Sequence, residues 1–283
     1  MQKIKYPSEY FDAADTLCCG QLFRFTPKGK GFNVYSRDKS CYLFTDGAET
    51  VIECEDADAD YFYNYFDLKR DYSAIVKRAC DFGGALAVAA GKAKGVRILN
   101  QDAEEALFSF VVSQNNNIPR IKGIIERLCA ALGEEKSFGG ETYRAFPAAK
   151  AMAARETDFY YGVGLGYRAP FVKRLAEDVA SGKIDVNALK KLPSHDLKTA
   201  LKGIYGVGQK VADCAALFGF GRTDSFPADV WIEKVYREDF GGTLTDRAKI
   251  SAWFENLFGD DSGYFQQYLF YYKRTLEKQS AAK

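Results

Sequence analysis

Along the first third of the chain, apolar and polar side chains alternate in short runs broken by turn residues. Gln21-Leu22-Phe23-Arg24-Phe25 alternates with period two, as a strand with one buried face does. Pro27-Lys28-Gly29-Lys30-Gly31 signals a turn, and Phe32 to Ser36 resumes the alternation. Arg37-Asp38-Lys39 turns again before a third strand from Cys41 to Phe44. Asp46-Gly47 is a hairpin dipeptide ahead of a fourth, Thr50 to Cys54. The pattern predicts an antiparallel meander of about four strands.

From Asp60 the period changes to that of a helix. Tyr61, Tyr65 and Leu68, then Ile75, Ala79 and Phe82, share faces. The small-residue stretch Gly84 to Gly91 is expected to carry the chain between two lobes. Beyond it nearly everything reads helical, with apolar faces at Ala106, Phe110 and Val111 and at Ile121, Ile124, Ile125 and Leu128. The expected organisation is α+β: an antiparallel sheet domain with flanking helices over 1–98, packed on an all-helical domain over 99–283.

Composition narrows the chemistry. Apolar residues make up 47% and aromatics 15%, as in a globular protein. No apolar run reaches the roughly 18–20 residues that span a bilayer, and Met1 to Pro7 lacks a signal-like apolar core, so a soluble intracellular protein is expected. Seven cysteines, none in a Cys-x-x-Cys pair, do not suggest a disulfide framework. With His195 the only histidine, a Cys/His zinc site or a histidine-based triad is hard to build. Net charge is +1, from 39 basic and 38 acidic residues, so bulk charge does not suggest nucleic acid. Two decoys fall away. Gly84 to Ala93 has the wrong glycine spacing and no Ser/Thr for a phosphate loop, and Glu55 to Asp60 lacks the glycine and distal Glu of a calcium loop.

The informative stretch is Leu201 to Asp213. A helix with Leu189, Leu192, Leu197 and Leu201 runs into Gly206-Val207-Gly208, and a second helix follows with Val211, Ala215 and Phe218 on one face. Uncovered amides at that helix start, with the helix dipole, accept a phosphate without Lys or Arg. The same residues equally suit a tight helix–helix turn that needs glycine for positive φ. Lys210 lies in the first turn, where the dipole is expected to lower an ammonium pKa. Asp229 follows Pro227-Ala228 and starts a helix through Ile232, Val235 and Tyr236, a good N-cap position.

Five segments, in order, resemble the 8-oxoguanine DNA glycosylases of the helix-hairpin-helix superfamily. They are Cys19-Gly20-Gln21-Leu22-Phe23-Arg24-Phe25, the Asn-rich Ser113 to Ile121, Gly162 to Ala169 around Gly164-Leu165-Gly166-Tyr167-Arg168, the hairpin at about 198–213, and the Asp loop at about 224–231. The resemblance implies base excision from duplex DNA containing oxidised guanine. Lys210 attacks the sugar, with strand scission by β-elimination, and Asp229 faces the developing positive charge. It implies a base pocket of Gly20, Cys214, Gln266 and Phe270, where the Gly20 carbonyl accepts the N7 hydrogen of the oxidised base. Asn115, Arg120 and Arg168 would read the orphaned base, Tyr167 would fill the gap, and Gly206 and Gly208 would meet a phosphate. No side-chain metal site and no organic cofactor are implied, although a structural cation on the hairpin carbonyls fits the resemblance. A monomer in the cytoplasm or nucleoid is expected.

Two residues depart from the family pattern: Phe25 stands where Trp is usual, and Trp231 where many relatives carry a phosphate-holding histidine. The iron–sulfur branch is excluded, since Cys214 is the last cysteine. Alkylated-base glycosylases usually lack the hairpin lysine. A non-catalytic DNA-gripping module would not explain Lys210, Asp229 and Gln266 together.

Overall fold

A computed structural model describes residues 1–281. Its N-terminal part is a five-stranded antiparallel sheet in the order β1-β5-β4-β3-β2, formed by β1 (Gln2–Pro7), β2 (Phe25–Lys28), β3 (Gly31–Ser36), β4 (Lys39–Asp46) and β5 (Glu49–Cys54). Register places Val34 opposite Cys41, Cys41 opposite Cys54 and Leu43 opposite Ile52. These five side chains are fully buried on one face, packed with Phe11, Leu17 and Phe62 from α1 (Ala13–Cys18), the loop before it and α2 (Ala59–Tyr65).

Two expectations about the sheet are corrected. The strand β1, antiparallel to β5, was not foreseen; its Ile4 and Tyr6 alternate with exposed lysines at the sheet edge. Gln21 to Phe25 is not a strand, and only Phe25 joins β2. Its alternation misleads because both sets of side chains are buried: Gln21 and Arg24 are 0% and 5% exposed. The Gln21 amide donates to the Thr16 and Arg97 carbonyls and accepts from the Leu99 N–H, so a polar residue serves there as an internal tie.

Helices follow: α3 (Tyr72–Phe82), α4 (Gly84–Lys92), α5 (Ala103–Ser113), α6 (Ile118–Leu132), α7 (Ala149–Ala153), α8 (Thr157–Gly162), α9 (Ala169–Ala180), α10 (Val186–Leu189), α11 (Ser194–Lys202), α12 (Gln209–Phe218), α13 (Val230–Asp239), α14 (Arg247–Phe258) and α15 (Ser262–Ala281). At the centre lies α5, buried at every position but Glu104, as a helix apolar on all sides must be. The stretch expected to link two lobes is instead α4, which packs on α3 and α15; its alanines let α15 come close. A hairpin of β6 (Glu135–Phe138) and β7 (Glu141–Arg144) also interrupts the segment that read as wholly helical.

Two apolar cores result. One lies under the sheet, and the larger joins α3 and α4 to α5–α15. Six aspartates (Asp12, Asp71, Asp102, Asp185, Asp229 and Asp246) cap helix N-termini through their side chains, each worth about 1 kcal/mol. Among the described residues no helix is long and apolar enough to cross a membrane.

Candidate active site

The hairpin is built as its glycines require. Gly206 has φ +83°, and a Cβ there would lie 2.4 Å from the Phe171 ring, so only glycine fits. Gly208 differs: it is extended, caps α12 without a side chain, and faces open space. The first amides of α12 are therefore uncovered, and Lys210 follows in its first turn.

Lys210 is half-buried, with Nζ 5.8 Å from the Phe110 ring centroid. Burial pushes its ammonium pKa down, whereas Cys214, Asp229 and Asp213 push it up, and the net direction is up. This corrects the expected lowering: nearby groups that are negative when ionised outweigh burial. Burial also raises the Cys214 thiol to about 11, so Cys214 is neutral at pH 7 and adds its pull only in alkaline solution.

Asp229 caps α13. Its Oδ1 accepts the N–H groups of Trp231 and Ile232 at 2.9 and 3.1 Å, which fixes the carboxylate's position. Lys210 and Asp229 both line two adjoining hollows. One is a cavity of about 310 Å³ that also takes in Gly20, Cys214, Gln266 and Phe270. That volume is at the lower end for small-molecule pockets, roughly 300–1,000 Å³. The other, about 450 Å³, runs along Gln114-Asn115-Asn116, Gly208 and Arg247. The lysine and carboxylate thus stand where a base-sized cavity meets a groove at a helix N-terminus.

The cavity's far wall depends on α15. Gln266 is 4% exposed; its Nε2 donates to the Pro227 carbonyl at 3.1 Å, and its buried Oε1 has no partner among the described residues. One turn on, Phe270 lies beside Gly20, whose φ is +97°. Gln267 donates to the Cys19 carbonyl at 3.2 Å, Tyr271 to Asp15 at 2.6 Å, and Arg274 to the Cys18 carbonyl. Three residues of the last helix thereby hold the end of α1 and bring Gly20 into a wall otherwise made by the helical core.

At the groove's mouth, Tyr167 is half-exposed and donates to the Gln114 carbonyl at 3.3 Å. Asn115 is exposed at φ +43°, its amide 3.2 Å from the Tyr167 hydroxyl. Arg120 is also exposed, 3.4 Å from the Gly164 carbonyl. Arg168 is not presented to the groove. It is 2% exposed and donates to the carbonyls of Gln114 at 2.6 Å, Asn115 at 2.8 Å and Leu165 at 3.3 Å. Its donors hold the Asn-rich loop, so the expectation that it reads a base is corrected to that of a brace. Trp231 lines the cavity, with Lys234 Nζ 5.0 Å from its ring.

Sequence reasoning missed Phe23, Phe110, Asn117, Gln267 and Arg274 of the cavity wall. For Arg274 the signal existed: Gln266, Phe270 and Arg274 recur every four residues and share one helix face. The others are indistinguishable from core or cap residues until the fold is known.

A sheet packed on a helical domain, a glycine hairpin feeding a lysine helix, and a capped carboxylate across from it are the layout of helix-hairpin-helix glycosylases. Residues 3–107 match the family model described as 8-oxoguanine DNA glycosylase, N-terminal domain. The chain is similar to the solved structure of MBOgg1 in complex with a low affinity DNA ligand, with a TM-score of 0.92 and 33% identity over 98% of this chain and 97% of that one. It is also similar to Clostridium acetobutylicum 8-oxoguanine glycosylase/lyase in complex with double-stranded DNA containing cytosine opposite 8-oxoG. There the TM-score is 0.91 and identity 29%, over 98% of this chain and 99% of that one. A curated relative, the probable N-glycosylase/DNA lyase of Methanothermobacter thermautotrophicus, is 28% identical over 74% of this chain and 72% of its own length. The chain belongs to the 8-oxoguanine DNA glycosylase family.

Proposed function

We propose that this protein is a bifunctional DNA glycosylase and abasic-site lyase that excises 8-oxoguanine from duplex DNA. The observation that carries the reading is that Lys210 and Asp229 line both the base-sized cavity and the groove at the α12 N-terminus. A backbone phosphate meets the α12 amides beyond Gly208. Tyr167 enters the stack, and Asn115 and Arg120 meet the partner base left behind. Arg168 keeps that loop in shape. The extruded base enters between Phe270 and Cys214. Gln266 Oε1 accepts from its Watson–Crick edge, and the Gly20 carbonyl accepts from N7–H.

Lys210, an ammonium at neutral pH, gives up a proton to the departing base, and its free amine forms a bond to the sugar C1′ as the bond to the base N9 breaks; the base leaves with that electron pair and the proton. Asp229, held by its cap hydrogen bonds, stabilises the positive charge that develops on the sugar. Ring opening gives a Schiff base, and loss of a C2′ proton expels the 3′ phosphate. None of these steps calls for an organic cofactor. A cation on the hairpin carbonyls belongs to the same reading, as a support of the turn that presents the amides. One chain supplies every group, so a monomer suffices, acting wherever the cell's DNA lies.

Borohydride trapping on a duplex with 8-oxoguanine opposite cytosine tests the proposal. Wild type is expected to give a covalent band, and Lys210→Gln none, with base release slowed by on the order of 10³-fold or more. Absence of adduct and of base release from wild type would overturn the reading.

A further inference from the structure

Arg274 is a charged residue in the cavity wall whose hydrogen-bonding capacity is largely unused. It is 7% exposed, and its guanidinium carbon lies 5.1 Å from the Phe270 ring centroid. Nη2 donates to the Cys18 carbonyl, but Nε and Nη1 are buried with no partner among the described residues. Nη1 lies 2.8 Å from where a Cβ on Gly20 would sit, and Arg274 lines the same cavity as Gly20, Gln266 and Phe270. Buried polar groups are nearly always paired, and an unpaired guanidinium donor is especially unfavourable. In the wall of a ligand cavity, the missing partner is an acceptor on the ligand.

We infer that Arg274 is a specificity-determining residue that donates a hydrogen bond to the C8 carbonyl oxygen of the oxidised base. The inference rests on the glycosylase reading above. Gln266 and Arg274 stand two turns apart on one face of α15, about 12 Å along its axis. Side chains lean toward a helix N-terminus, which carries the guanidinium back over Phe270. A purine whose Watson–Crick edge faces Gln266 directs its C8 end toward Arg274. Its C6 oxygen stays on the Gln266 side. Beside the Gly20 carbonyl, an acceptor, Arg274 places a donor. That pair complements the N7–H and C8=O that oxidation creates, whereas unmodified guanine offers an acceptor and a C–H there.

The test measures duplex affinity in the non-excising Lys210→Gln protein, with and without Arg274→Met. The four duplexes carry 8-oxoguanine, 8-oxoadenine, guanine or a tetrahydrofuran abasic analogue opposite cytosine. Expected is a loss of about 10- to 100-fold for both 8-oxopurines, the scale of a hydrogen bond to a charged group, and none for the other two. Loss shared by 8-oxoguanine and guanine but not by 8-oxoadenine would place the contact at the C6 oxygen and overturn the inference. Loss on all four would make Arg274 a fold residue, and loss on none would make it a bystander; either result overturns it. If Arg274→Met does not fold, Arg274→Lys keeps the charge without the planar fork, and a smaller loss confined to the two 8-oxopurines is expected. If Lys210→Gln itself shows no preference for 8-oxoguanine, both proposals fall, and that is seen before Arg274 is altered.

Discussion

Asp213, three residues past Lys210, has no exposed surface. Its Oδ1 accepts from Gln209 at 2.9 Å and lies 3.9 Å from the Lys198 ammonium, while Ser251 Oγ is 3.3 Å from Oδ2. Burial, opposed by Lys198 and these hydrogen bonds, raises its pKa from 3.8 to about 6. A carboxyl raised on folding contributes stability below its unfolded value and loses it as pH rises through the folded one. The ionised form at pH 7 therefore opposes folding by about 3 kcal/mol. Asp213→Asn does not titrate, so its stability relative to wild type should rise by up to that amount between pH 4 and pH 7. Urea unfolding at the two pH values checks this, and a constant gap would refute it. At this scale the sequence was uneven. Lys210 and Asp229 stood in recognisable patterns, but Arg168 and Arg274 are arginines whose roles depend on which carbonyls face them, and no local spacing encodes that.

The hairpin between α11 and α12 contains two glycines with different reasons to be glycine. Gly206 answers to the fold, through its positive φ and the Phe171 ring; Gly208 has ordinary backbone and open space. Gly206→Ala should therefore destabilise the protein by about 1–3 kcal/mol. Gly208→Ala should cost less, about 0.5–1 kcal/mol, since Gly is preferred to Ala at an N-cap but nothing there clashes with a methyl. It should nonetheless weaken duplex binding several-fold, because a methyl then stands where a phosphate approaches the amides. Paired melting and binding measurements separate the two; equal melting losses would erase the distinction. The hairpin was legible because glycine spacing and helical periodicity meet in one short stretch. The strand expected at Gln21 to Phe25 failed for the opposite reason. Period-two alternation signals a strand only when polar positions face water, and here both faces are enclosed. The β6–β7 hairpin is short and mostly exposed, so it carries little apolar pattern to read.

Across the whole molecule, charge explains why composition gave no hint of DNA. Many carboxylates cap helices or pair with neighbouring lysines and arginines, so a near-zero net charge is compatible with the phosphate site proposed at the backbone amides of α12. The junction of sheet and helices depends on one such pair. Arg24, just before β2, meets Glu105 of the central helix at 3.2 Å and donates to the Arg144 carbonyl of β7 at 2.5 Å. Glu105 also accepts the Arg37 N–H at 2.6 Å. Both side chains are almost fully enclosed, and burial raises the Glu105 pKa even beside the guanidinium. Breaking a buried pair leaves an uncompensated charge, so either Arg24→Met or Glu105→Leu should cost about 3–5 kcal/mol at pH 8. The double variant leaves no charge and should cost much less than the sum. The single variants should part company as pH falls. Without Arg24, Glu105 sheds its charge by taking up a proton, so the Arg24→Met penalty should shrink toward pH 5. Arg24 cannot be deprotonated in this range, whereas acid favours a wild type whose Glu105 pKa is raised, so the Glu105→Leu penalty should grow toward pH 5. Unfolding free energies of the three variants at the two pH values decide it. Parallel pH behaviour of the single variants would mean that packing, not charge, joins the sheet to the helical core.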